Sequence, residues 1–128
     1  MPESPRILLV DSDAGIRASL KFSLELEGFA VEAFESGESL VGLTHFPNAA
    51  CLVLDYRLPG MDGLTLLALL RRKGVTQPAV LISGLASKVV RARAAHSGVA
   101  VIEKPLLCDA LSAAIRSLTN SPAQSYSG

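Results

Sequence analysis

The chain has 128 residues, 49% apolar and 19% charged, which suits one globular domain with a single core and excludes a disordered chain. Twelve Lys and Arg balance twelve Asp and Glu, so neither a basic footprint for nucleic acid nor steering to an anionic membrane is expected. No apolar run approaches the ~20 residues of a membrane span, and Met1-Pro2-Glu3-Ser4-Pro5 lacks the basic and apolar regions of a secretory signal.

In chain order, short apolar runs alternate with segments of helical period. Ile7 to Val10 reads as a strand buried on both faces. Ile16, Leu20 and Leu24, with Ala18, Phe22 and Leu26, recur at helical spacing until Gly28. Phe29 to Phe34 is a short strand, and Ser36 can cap a helix carrying Leu40, Val41 and Leu43. Cys51, most simply a small core residue, opens the strand at Ala50 to Leu54. A loop from Tyr56 to Met61 follows, and Asp62 caps a helix closed by Arg71, Arg72, Lys73 and Gly74, where basic residues suit the helix dipole. Ala79 to Ile82 is the fourth strand, Ser87 to Ser97 a helix ended by Gly98, and Val99 to Ile102 the fifth strand. After Pro105 a last helix is expected from about Leu107 to Leu118, with Cys108 near its start, and residues 119–128 form a polar tail. The two cysteines lack the spacing of a zinc site or redox pair, so a reducing, cytoplasmic setting is expected. His45 reads as a loop histidine and His96 as a cation at a helix end. Neither has a metal-binding partner in sequence. Arg91 and Arg93 read as a solvated helix face, while Val89 and Val90 make the same helix rather apolar.

Five strands alternating with five helices imply a doubly wound parallel sheet in three layers, of flavodoxin-like type and strand order 2-1-3-4-5, with ligands beyond the carboxyl ends of the strands. Those ends carry Asp11, Ser12 and Asp13, then Asp55, then Ser83, then Glu103 and Lys104. Together they hold the parts of a phosphoryl-transfer site. A carboxylate can attack phosphorus, a second can help hold Mg²⁺, a lysine can neutralise phosphoryl oxygens, and a hydroxyl can bond them.

Four motifs carry a resemblance to the receiver domain of two-component response regulators: VDSD at 10–13, LVLDYRLPGMDG at 52–63, LISG at 81–84 and IEKP at 102–105. It covers residues 6–118, and the third-strand loop is its most specific signal. The resemblance implies that Asp55 is the phospho-acceptor, with Lys104 and Ser83 acting on the phosphoryl group. It implies Mg²⁺ held by Asp11, Asp55 and the backbone carbonyl of Arg57, and a cis bond between Lys104 and Pro105. It further implies a sensor histidine kinase or phosphotransfer protein upstream and a protein target downstream. On this reading the chain is a single-domain switch (receiver domain 1–118), not a separate enzyme. It acts as a monomer or weak dimer through helix 4, strand 5 and helix 5, without nucleic acid or membrane.

The sequence departs from that family in three places. Ser12 stands where receivers usually have a second acid, so it is expected to ligate Mg²⁺ weakly or through water. Val101 stands where receivers usually have an aromatic ring that turns inward on phosphorylation. The connection from Gly98 to Lys104 is one residue short. These departures keep open a degenerate receiver that binds partners without phosphate. A more distant rival is the haloacid-dehalogenase-like phosphatase, which also begins with a strand and Asp-x-Asp. Against it stand Gly15 in place of the usual Thr or Val, the missing final acidic pair, the short chain, and the unexplained LDYRLPGMDG.

Overall fold

The computed structural model describes residues 5–43, 48–84, 87–104 and 110–119. The expectations for His45, Pro105 with its peptide bond, Cys108, the start of the last helix and residues 120–128 fall outside them.

Five strands build one parallel sheet: β1 (Arg6–Val10), β2 (Ala30–Phe34), β3 (Cys51–Asp55), β4 (Ala79–Ser83) and β5 (Ala100–Glu103), in the order β2-β1-β3-β4-β5. Five helices follow them: α1 (Ala14–Leu26), α2 (Gly37–Val41), α3 (Gly63–Arg72), α4 (Lys88–His96) and α5 (Ala110–Thr119). This is the flavodoxin-like architecture expected from the alternation of patterns.

Every residue of β3 and β4 is buried, as is β1 beyond Arg6. Continuous apolar runs in the sequence reflect that burial, because a parallel sheet is covered on both faces. Successive side chains take opposite faces. Leu8, Val10, Leu52, Leu54 and Leu81 pack with Leu66, Leu67 and Leu70 of α3 and Val90 and Ala94 of α4. Ile7, Leu9, Val53, Val80 and Ile82 pack with Leu20 and Leu24 of α1 and Leu111 and Ile115 of α5. Cys51 belongs to the second cluster, and burial pushes its thiol pKa up to about 12, against a hydrogen bond to the Leu52 carbonyl. It is an inert core residue.

The expected caps are present. Ser36 Oγ accepts from Ser39 N at 3.2 Å and Asp62 Oδ1 from Thr65 N at 2.8 Å. Gly28, Gly74 and Gly98 follow their helices with φ between +71° and +98°. Leu43 lies outside α2, and α5 runs through Thr119, one residue past its expected end. In α4, Val90 is buried while Val89 is exposed. Arg91 and Arg93 lie on the exposed helix face expected of them, and each also has a partner there. Arg91 pairs with Glu103 at 2.6 Å, and Arg93 reaches Asp62 and Tyr56.

Candidate functional site

The carboxyl ends of β1, β3, β4 and β5 lie side by side along one edge of the sheet. The register sets Asp55 opposite Ile82 and Ser83 opposite Glu103. Asp11 follows β1 directly, and its N–H donates to the Phe34 carbonyl of β2 at 3.1 Å. Asp11, Asp55 and Ser83 are 0%, 5% and 2% exposed, polar side chains at the rim of an apolar sheet.

Lys104 joins the two acids. Its Nζ lies 3.1 Å from Asp11 Oδ2 and 3.2 Å from Asp55 Oδ2, while its own N–H donates to the Ser83 carbonyl at 2.7 Å. The contact to Asp55 is a hydrogen bond. The contact to Asp11 is an ion pair to a fully buried oxygen. Burial raises the Asp55 pKa above the ordinary carboxylate range, and the charge of Asp11 adds to it. Lys104 and the Arg57 N–H oppose this without cancelling it. For Lys104, partial burial disfavours the ammonium, but contact with Asp11 and the charge of Asp55 outweigh it and raise the pKa.

Both acids are held by their own loops. Asp11 Oδ1 accepts from Asp13 N at 2.9 Å, and Asp55 Oδ1 accepts from Arg57 N at 3.3 Å. Each is the short turn that an Asp makes with the backbone two residues on. Arg17 of α1 donates to the Asp11 carbonyl at 2.7 Å. Asp13 caps α1, its Oδ1 accepting from Ile16 N at 3.0 Å. That capping bond gives Asp13 a structural partner apart from the pair of acids that meet Lys104. Ser12 is exposed between the two.

The loop after β3 is more elaborate. Arg57–Leu58 pairs antiparallel with Met61–Asp62, and Pro59 followed by Gly60 at φ +80° turns the ribbon as a type II turn does. The chain then folds back so closely that a Cβ on Gly63 would lie 2.4 Å from the Asp55 carbonyl oxygen and 2.8 Å from Leu81 Cδ1. Glycine is therefore required by close approach. Gly63 N also donates to the Tyr56 carbonyl at 2.8 Å.

The donors suit a hard cation. Two buried carboxylates face one point, and one of their oxygens lacks a hydrogen bond. Among the described residues, no group of three His, Cys, Asp or Glu could hold a metal. A cation here would complete its shell with backbone carbonyl, phosphoryl oxygen and water, which is how Mg²⁺ is usually held. Sequence reasoning collected Asp11, Asp55, Ser83 and Lys104 but missed Arg17 and the contact of Tyr56 and Asp62 with Arg93.

The fold and the lysine-bridged acids define a flavodoxin-like α/β domain whose polar groups gather at the carboxyl edge of its sheet. Residues 7–116 match the response regulator receiver domain, and the chain belongs to that family. It is 33% identical over 117 residues to the transcriptional regulatory protein FixJ of Azorhizobium caulinodans, covering 91% of this chain and 56% of that one. The chain thus spans about half the length of the FixJ relatives it matches. The receiver domain of the Francisella response regulator 1452 superposes with a TM-score of 0.83 at 26% identity, covering 91% of this chain and 98% of that one. The response regulator TrrA of Thermotoga maritima, solved in complex with Mg²⁺-BeF, superposes with a TM-score of 0.77 at 27% identity, covering 89% and 98%. No helix among the described residues is long and apolar enough to cross a membrane.

Proposed function

We propose that this chain is a phosphoryl-accepting switch. Asp55 takes a phosphoryl group from a histidine kinase or phosphotransfer protein, and the changed state is read by a protein partner. The observation that carries this reading is the Lys104 ammonium between two buried carboxylates, 3.1 and 3.2 Å away. A carboxylate oxygen of Asp55 attacks phosphorus, the new O–P bond forms, and the bond to the donor imidazole nitrogen breaks with its electron pair leaving on nitrogen. As an acyl phosphate the Asp55 carboxyl no longer carries its own charge, so Lys104 is free to pair with a phosphoryl oxygen. The Ser83 hydroxyl, at the end of β4, donates to another. Asp11, Asp55 and the Arg57 carbonyl would hold Mg²⁺, with Ser12 a weak or water-mediated ligand. Bound there, the ion would supply positive charge to the phosphoryl oxygens.

The chemistry of the chain is limited to accepting the group and losing it to water. Residues 1–118 act as the receiver domain in this reading and 119–128 as a tail. The response leaves by protein contact, and any weak dimer uses the face of α4, β5 and α5.

Intact mass after incubation with acetyl phosphate, with and without Mg²⁺, tests the reading on wild type and Asp55→Asn. One Mg²⁺-dependent phosphoryl adduct is expected, absent from the variant. An unmodified wild type at every Mg²⁺ concentration, with acetyl phosphate and with a phosphorylated histidine phosphotransfer protein alike, would overturn it in favour of a phosphate-independent interaction module.

A further inference from the structure

Arg93 stands on α4, yet its partners belong to the loop after β3. Its NH1 donates to Tyr56 Oη at 2.8 Å and to Asp62 Oδ2 at 3.1 Å, and its guanidinium carbon lies 5.9 Å from the centre of the Tyr56 ring. These two partners mark the ends of the loop. Tyr56 directly follows Asp55, and Asp62 caps α3. One guanidinium therefore grips both ends of the segment that contains Arg57. The Tyr56 backbone is tied in turn, its N–H on the Ile82 carbonyl and its own carbonyl on Gly63 N, both at 2.8 Å. On β5, the neighbouring strand, position 101 offers only the aliphatic Val101, half-buried in the core beneath.

We propose that Arg93 is a positioning residue that couples α4 to the β3–α3 loop, so that the loop and the helix change state together. The coupling deepens the reading above, because a phosphoryl group on Asp55 would reach α4 through Tyr56 and Asp62. Coupling of this kind is reciprocal: a change made at either end is felt at the other.

Hydrogen–deuterium exchange of the unphosphorylated full chain tests the coupling without any phosphodonor. Arg93→Gln is expected to speed exchange of the amides at 56–63, on the other side of the contact. Tyr56→Phe, which keeps the ring and removes the hydroxyl, is expected to speed exchange at 88–96. Each effect should be roughly two- to fivefold, the scale of an exposed charged contact. The double variant should show less than the product of the two, and Arg93→Lys should restore part of the loop protection. Loop amides unchanged in Arg93→Gln, or independent effects in the double variant, overturn the proposal.

A second arm separates it from the proposed function. With acetyl phosphate and Mg²⁺, Arg93→Gln is expected to gain the same mass as wild type while its α4 exchange no longer follows loading. If α4 follows loading equally in both, the coupling is overturned although the function stands. If neither protein is modified, by acetyl phosphate or by a phosphorylated histidine phosphotransfer protein, the function fails and the exchange of the free proteins still decides the coupling.

Discussion

The turn after β1 and the loop after β3 begin alike and end alike. Each starts with a buried Asp whose Oδ1 takes the N–H two residues on, and each ends with an Asp that caps the next helix. Between the two acids lies Ser12 alone in the first case and Tyr56 to Met61 in the second. The supports differ as well. Arg17, which holds the Asp11 carbonyl, belongs to the helix that the turn itself begins, whereas Arg93 reaches across from α4. The short turn is a local device that fixes one carboxylate. The long loop presents its carboxylate while remaining in contact with a distant helix. The switch proposed above draws on both, an acid held within its own turn and an acid tied to a second element.

The largest expected contrast comes from the glycines. Gly63→Ala drives a Cβ into the Asp55 carbonyl, which is backbone and cannot move without disturbing β3, and into the buried Leu81 side chain. It should cost about 3 kcal/mol, the upper range for overpacking. Gly15→Ala in the first turn of α1, just past the short turn, meets only Asp13 Oδ1 at 3.3 Å, the tip of a side chain. There the gain from replacing a helical glycine, about 0.5–1 kcal/mol, offsets a strained cap. Urea unfolding of the two variants checks the difference, and equal losses would mean that the two loops are equally tight.

Lys104 is what the two loops share. Lys104→Met leaves Asp11 and Asp55 buried side by side without a cation, and should cost about 2 kcal/mol at neutral pH. The sign of the pH dependence follows from linkage. The raised pKa of Lys104 gives wild type a contribution that is complete below the ordinary lysine value and lost only as pH rises through the folded one. Without the lysine, the Asp55 pKa, already raised by burial and by Asp11, moves further up. The folded variant then keeps a proton where the unfolded chain has lost it, so its stability falls as pH rises from about 4. The deficit against wild type should therefore shrink between pH 7 and pH 5. For the same reason Asp55→Asn should stabilise the fold at neutral pH, and more so at pH 7 than at pH 4.

The parts of the comparison differed in how well they could be read from residues alone. Burial on both faces writes itself as unbroken apolar runs, so β1, β3 and β4 were legible and so were the acids directly after them. The caps Ser36 and Asp62 announced themselves by standing just before a helical period. The contact of Arg93 with Tyr56 left no such trace. It joins exposed groups 37 positions apart, and an arginine on the outer face of α4 has the same pattern as one facing water. The bond from Arg17 to the Asp11 carbonyl was hidden differently, because a backbone acceptor carries no residue type. The serine at position 12 gains its meaning only from its neighbours: Asp11 faces Lys104, Asp13 turns away to cap α1, and the residue between them is left exposed.

The smallest effect is the one that most sharpens the contrast between the two caps. Asp13→Ala should cost about 1 kcal/mol, the usual worth of a lost N-cap. Asp62→Ala loses a cap of the same kind and also the partner of Arg93, so it should cost slightly more. The Asp62 pKa carries that signature. Burial alone would raise it, but the Thr65 N–H and the Arg93 guanidinium outweigh burial and hold it below the ordinary value. A depressed carboxylate contributes stability above the ordinary pKa and loses it as pH falls through the folded value. The excess cost of Asp62→Ala should thus be present at pH 7 and disappear in acid. It should also weaken in 1 M salt, where charges separated by more than about 3 Å are screened. In an Arg93→Gln background only the capping loss should remain, and the two caps should then cost the same. An excess that persists there would place the extra support for Asp62 somewhere other than α4.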